Sequence, residues 1–203
     1  MFLIILGAAS LIPPQPINQQ SWLSDQDTPV ELLQFNEPVV VRYRLVVGPN
    51  GRPGSCASEI NTGPRAVGDH VCKLLLQRAR LRPAVTSGGL RAYGVFRGNT
   101  RLEKGDGVSR KMNVRLLDAE VLVTGPSPVF VASDAVTVAI EVAAQGTLGA
   151  CAPSVSGGNI NPGLVRVACD NLSKVYQPVP VSDRKGNRVA SVQQVLVRFR
   201  RPN

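Results

Sequence analysis

The feature that most constrains the fold of this chain is an internal offset of 95 residues. The four cysteines, Cys56, Cys72, Cys151 and Cys169, form two pairs with spacings of 16 and 18. Sliding one half over the other by 95 superposes Cys56 on Cys151, Gly51 on Gly146 and Pro83 on Pro178. Apolar residues alternate just before those glycines. Val39, Val41, Tyr43, Leu45 and Val47 occupy every second position, and so do Val136, Val138, Ile140 and Val142. A period of two marks a strand with one buried face. A constant offset through such a pattern points to one supersecondary unit used twice.

Each unit reads as strand, strand, helix, strand. Gly48-Pro49-Asn50-Gly51 and Ala143-Ala144-Gln145-Gly146 separate the first strand from the cysteine-bearing second. Asn-Gly between alternating runs is a hairpin signal. A loop rich in Gly, Asn and Pro follows, then a helical pattern over residues 65–80 or 164–175, closed by Pro83 or Pro178. The final strands are residues 92–101 and 191–200. The expected class is α+β, with two antiparallel sheets, each packed on one helix. The expected division is 1–27 as a leader and tether, 28–104 as the first unit, 105–133 as a connection and 134–203 as the second unit. Cys72 and Cys169 are 97 apart, which two extra loop residues before the second helix account for.

Four thiols allow three disulfide pairings. The repeat selects Cys56–Cys72 and Cys151–Cys169, each tying a second strand to its own helix. Zinc is the rival reading, but no Cys-x2-Cys pair exists and the chain has a single histidine. A Cys72 nucleophile with His70 is the other rival. Residues two apart on a helix do not face one another, so His70 reads as an ordinary helix residue.

The net charge of +9 is uneven. Residues 1–39 carry four acids and no bases, whereas residues 40–104 carry twelve Lys or Arg against three acids. That excess is either a solvated face or an attraction to an anionic partner. Nucleic acid is disfavoured, because no RNP-like aromatic run, zinc-finger spacing or helix-turn-helix pattern occurs. Met1–Ile12 has the length of a signal-peptide h-region and is too short to span a bilayer. A buried or unordered terminus is the alternative. Pro13 to Asp27 reads as a polar, Pro/Gln-rich tether.

Catalytic patterns are weak. Ser182-Asp183-Arg184-Lys185 fits S-x-x-K only in a turn, and Gly48, Gly51 and Gly54 lack the Lys-Ser/Thr ending of a phosphate loop. No paired carboxylates stand out. The expectation is a non-catalytic protein without cofactor or metal.

Three stretches of the chain resemble the C-terminal domain of the TonB energy-transducer family, the third of them, from Gly89 or Gly186 into the last strand, in both units. Residues 39–47 with Gly51 and Cys56 resemble its first hairpin. Leu74 through Arg80-Leu81-Arg82-Pro83-Ala84 is similar to its helix end. Gly186-Asn187-Arg188-Val189 leading into Val195-Leu196-Val197-Arg198-Phe199 resembles its last strand. The resemblance covers about residues 36–104 and 115–201. It implies a periplasmic, cell-envelope location, reached by secretion across the inner membrane. It also implies binding of an extended peptide, from an envelope protein or outer-membrane receptor, by strand addition. The implied edges are the final strands, with Tyr93, Val95 and Arg97 in the first unit and Val195, Val197 and Phe199 in the second. Two alternatives stay open. The final strands are covered by the other unit, or the basic first unit contacts an anionic envelope polymer instead.

Overall fold

Four tight hairpin turns in this chain share one hydrogen-bond pattern. Gly51 N–H donates to the Gly48 carbonyl and Gly48 N–H to the Arg52 carbonyl, both at 2.9 Å. The same two bonds close residues 143–147, 86–90 and 183–187. The fourth residue is always a glycine at positive φ: Gly51 (76°), Gly146 (93°), Gly89 (78°) and Gly186 (86°). This is a type I turn followed by a left-handed residue, a conformation in which a Cβ is strained. The turn glycines therefore set the hairpin positions.

The computed structural model describes residues 11–34, 36–60, 63–103, 107–109, 118–122, 135–154 and 161–200. Strand β1 (Gln15–Pro16) and three short 3-10 turns precede β2 (Val39–Val47). Then come β3 (Pro53–Ile60), α1 (Arg65–Arg78), β4 (Leu81–Arg82), β5 (Ala84–Val85), β6 (Arg91–Glu103) and β7 (Gly107–Ser109). The remainder is β8 (Ala119–Leu122), β9 (Ala135–Val142), β10 (Leu148–Pro153), α2 (Pro162–Val175), β11 (Val181–Ser182), β12 (Arg188–Val189) and β13 (Ser191–Arg200). The fold is mixed α+β, a sheet core with two helices. Asn161 caps α2 by accepting from Gly163 N–H (3.0 Å) and Leu164 N–H (3.3 Å), and Pro162 takes the first helical position. In α1, Val67, Val71, Leu74 and Leu75 form the buried stripe.

One nine-stranded sheet has the main path β10-β9-β13-β6-β2-β3, with β5 and β7 attached to β6 and β8 to β13. Neighbours are antiparallel except at the centre, where β13 pairs with β6 in parallel over Ser191↔Tyr93, Val192↔Gly94 and Gln193↔Val95. Beyond Val95 the two strands separate. β7 then pairs with β6 over residues 101–103, and β8 pairs in parallel with β13 over residues 197–200.

This junction decides where the helices lie. The α1 core takes the odd residues of β2, with Phe96 and Leu102 of β6. The α2 core takes Val195, Val197 and Phe199 of β13. The parallel register sets odd β13 residues beside odd β6 residues. Odd β6 residues point away from α1, because side chains alternate along a strand. Hence α1 and α2 cover opposite faces of the same sheet. Each helix is followed by a hairpin that reaches the far half. Ser87, before β6, donates its N–H (2.6 Å) and hydroxyl (3.0 Å) to Glu141 of β9. Arg184, between β11 and β12, donates to the Pro53 carbonyl of β3 at 3.3 Å.

Residues 11–27 correct the tether expectation. Leu11 is buried with Ala84, Ala139 and Val192 in a small cluster on the α1 side. Trp22 is 2% exposed, packs edge-on to Phe96 at 5.8 Å, and donates its indole N–H to the Ile17 carbonyl at 3.0 Å. Leu32 joins the same core. The polar composition between these anchors concealed them. Residues 1–10 of the expected leader lie outside the described residues. Trp22→Ala is expected to cost about 3–5 kcal/mol in urea unfolding, the range for truncating a buried Trp. A tether would leave the midpoint unchanged.

Candidate functional site

The six residues expected on open edges lie in interior strands. Tyr93 and Val95 pair with Ser191 and Gln193, while β2 runs along the other side of β6. Val195, Val197 and Phe199 are fully buried under α2; Val195 and Val197 pair with β9, and Val197 and Phe199 pair with β8. Arg97 sits where β6 and β13 part. It forms an ion pair with Asp118 and donates to the Tyr176 hydroxyl at 3.4 Å. Tyr176 donates in turn to Gln193 Oε1 (3.3 Å), and Gln193 Nε2 donates to the Val179 carbonyl (2.8 Å) and Ser191 Oγ (3.2 Å). Asp118 also accepts from Leu196 N–H at 2.9 Å. Buried polar groups are stable when each has a partner, and this network supplies them across the fork. The final strands pair with each other at Tyr93–Val95 and Ser191–Gln193, and the side-chain network fills the fork beyond.

Two strands end the main path of the sheet among the described residues, β10 and β3, while the two- to four-residue β5, β7 and β8 attach off it. They differ in the devices that protect an edge. β10 spans six residues, its register is irregular between Leu148 and Cys151, and it ends in Pro153. Short length, bulges and proline all deter further pairing. β3 spans eight residues, its irregularity lies at its start opposite Val46 and Val47, and its register with β2 is unbroken from Ser55 to Ile60. Gly54, Ser55, Cys56, Ala57 and Ser58 are small. They let another backbone approach closely.

Beside that edge lies an open groove of about 630 Å³ between β3 and α1. Cys56, Ser58, Arg65, Cys72, Lys73 and Leu76 line it. Leu76 is 40% exposed there, an apolar contact beside Cys72 and Lys73. Two features hold α1 at the strand. Gly68 faces Ser58, whose Oγ would be 2.7 Å from any Cβ at that position. The disulfide Cys56–Cys72 joins the strand to the helix with Cα atoms 5.5 Å apart. A second disulfide, Cys151–Cys169, joins β10 to α2 at 5.7 Å.

The opposite face of β2 and β6 is basic. Arg44 stands opposite Arg97, Arg42 opposite Asn99 and Val40 opposite Arg101. On the β3 side, Arg44 stands opposite Ala57 and Arg42 opposite Glu59. Like charges directly opposite one another destabilise a sheet pair. The Asp118 carboxylate offsets that for Arg97.

The other titratable groups singled out in the sequence are held in structural contacts. His70 Nε2 lies 3.0 Å from the Asp27 carbonyl oxygen. Burial pushes the Asp27 carboxyl up, but hydrogen bonds from Arg78 (2.6 Å) and Ser24 outweigh it and hold the pKa below the ordinary value. Partial desolvation likewise raises Asp183, and hydrogen bonds from Asn187 and Lys185 outweigh it, so Asp183 is a turn acceptor. Burial raises the Tyr43 phenol, which remains neutral in the α1 core and accepts from Gln19. Cys72 is in a disulfide. Among the described residues, no group of three or more His, Cys, Asp or Glu is placed to hold a metal ion, and no helix is long and apolar enough to cross a membrane.

Compared with protein-family models, curated proteins and solved structures, this chain matches none. Sequence reasoning placed β3 as the cysteine-bearing second strand but missed its outer edge as the candidate site. Its small, mixed side chains carry no alternation, so its place after a hairpin turn marked the strand and nothing local marked the edge. The double substitution Cys56→Ser with Cys72→Ser is expected to lower unfolding free energy by about 3 kcal/mol, the chain-entropy value for a loop of roughly 15 residues. Equilibrium denaturation checks this, and an unchanged free energy would mean the bond does not restrain the unfolded chain.

Proposed function

We propose that this chain is a non-catalytic binding protein of the cell envelope. In this reading it comprises two repeated TonB C-terminal-like units and captures an extended peptide from an envelope or outer-membrane protein by strand addition. The observation that carries the reading is the outer edge of β3. It is an eight-residue strand of small side chains beside a 630 Å³ groove. Main-chain hydrogen bonds to such an edge supply affinity, and alternate side chains entering the groove supply specificity. The final strands, the edges the family resemblance implies, are paired with each other, so the peptide goes to β3. Two disulfides favour an oxidising compartment such as the periplasm. The common order of hairpin, disulfide-linked helix and final strand favours the repeat.

A second reading follows from the arginines on β2 and β6: attachment to an anionic envelope polymer. The two readings separate in one experiment. A proteolytic digest of envelope proteins is passed over the immobilised chain, and the retained peptides are returned to the free protein for amide-exchange measurement. Strand addition predicts slowed exchange at alternate amides between Pro53 and Ile60, with β6 and β13 unchanged. Retention of polymer alone, released by salt, would favour the second reading. Peptides that slow exchange only elsewhere would overturn the first.

A further inference from the structure

The groove beside α1 shapes one side of a strand docked on β3, and the basic face bears on the other side. We infer that the captured peptide carries an acidic side chain opposite Ala57, on the side away from α1, and that Arg44 binds it. This rests on strand addition at β3.

The register supplies the argument. Arg44 has Ala57 on one flank and Arg97 on the other. Arg97 is ion-paired with Asp118. Arg44 has no acid directly opposite it in either neighbouring strand and is half-buried. Arg42, one pair further along, has Glu59 opposite it. By register Arg44 is thus the β2 arginine with no acid directly opposite, and it stands one strand in from the open edge. Strands lie about 4.8 Å apart, so a docked strand would run roughly 10 Å from β2. The β3 residue between them at this position is Ala57, whose side chain is a single methyl. An arginine and a carboxylate reaching toward each other span that gap. The alternation of a strand then fixes the neighbours of the acid. They stand beside Cys56 and Ser58 and face the groove, where Leu76 is exposed. Apolar residues suit that wall. The ligand class is thus an extended peptide with an acid flanked on both sides by apolar residues.

The test uses two blocked ten-residue peptides, one alternating Val with Asp and the other Val with Asn. Each is titrated against the full chain and against Arg44→Gln, Arg44→Lys and Arg188→Gln at about 0.15 M salt, where long-range attraction is screened. Thermal melts confirm that each variant is folded. The expected result is a preference for the Asp peptide of about tenfold in the unaltered chain, Arg44→Lys and Arg188→Gln, a size in line with a desolvated interfacial charge pair. In Arg44→Gln the preference should fall to near one. An Asp-to-Asn ratio that is the same with and without Arg44, including near one in both, overturns the acid inference while leaving β3 addition standing. Failure of both peptides to slow exchange over Pro53–Ile60 overturns strand addition itself, and the acid inference with it.

Discussion

The parallel pairing of β6 with β13 is the contact on which the rest of the molecule depends. It involves three residue pairs, Tyr93 to Val95 with Ser191 to Gln193. A three-stranded sheet with one helix has an exposed edge on its last strand, and edges invite pairing with other chains. Here the two last strands remove each other's edge. Because the pairing is parallel, it also turns the two halves over, so α1 and α2 lie on opposite faces. Each half then has a bare face, which the hairpin after the other helix reaches, through Ser87 to Glu141 on one side and Arg184 to Pro53 on the other. Where β6 and β13 part beyond Val95, the Arg97–Asp118–Tyr176–Gln193 network occupies the fork.

That arrangement moves any strand-adding partner outward. With β6 and β13 paired at the centre, β3 and β10 end the main path of the sheet among the described residues; β10 is short and bulged, and β5, β7 and β8 are two to four residues long. β3 combines length, regular register, small side chains and a groove on its helix side. The Cys56–Cys72 bond holds the groove's two walls together. A preformed groove reduces the ordering a peptide must impose when it binds, which is how rigid edges gain affinity.

What the sequence revealed and what it hid follow from the range of each interaction. Alternating Val, Tyr and Leu marked β2 and β9 because a buried strand face repeats every second residue. The helix ends lie within two residues of the pattern's limits, since Asn161, Pro162 and the prolines beyond each helix act locally. The β6·β13 junction joins residues nearly 100 positions apart, and no local period encodes it. Trp22 and Leu32 were hidden because they sit in a polar, proline-containing stretch without periodicity, yet they complete the α1 core. Arg97 read as a candidate edge residue. Its partner Asp118 lies beyond a stretch outside the described residues, and only the fold brings them together. β3 was legible as a strand but not as the open edge, because openness depends on which strands pair elsewhere.

The most direct test of this account is nuclear magnetic resonance on the deuterated, amide-protonated chain, looking for contacts across the sheet centre. The account predicts inter-strand amide cross-peaks between residues 93–95 and 191–193, with slow exchange of the paired amides. Absence of those cross-peaks, together with fast exchange along β6 and β13, would contradict it: the final strands would then be open edges and the two halves independent.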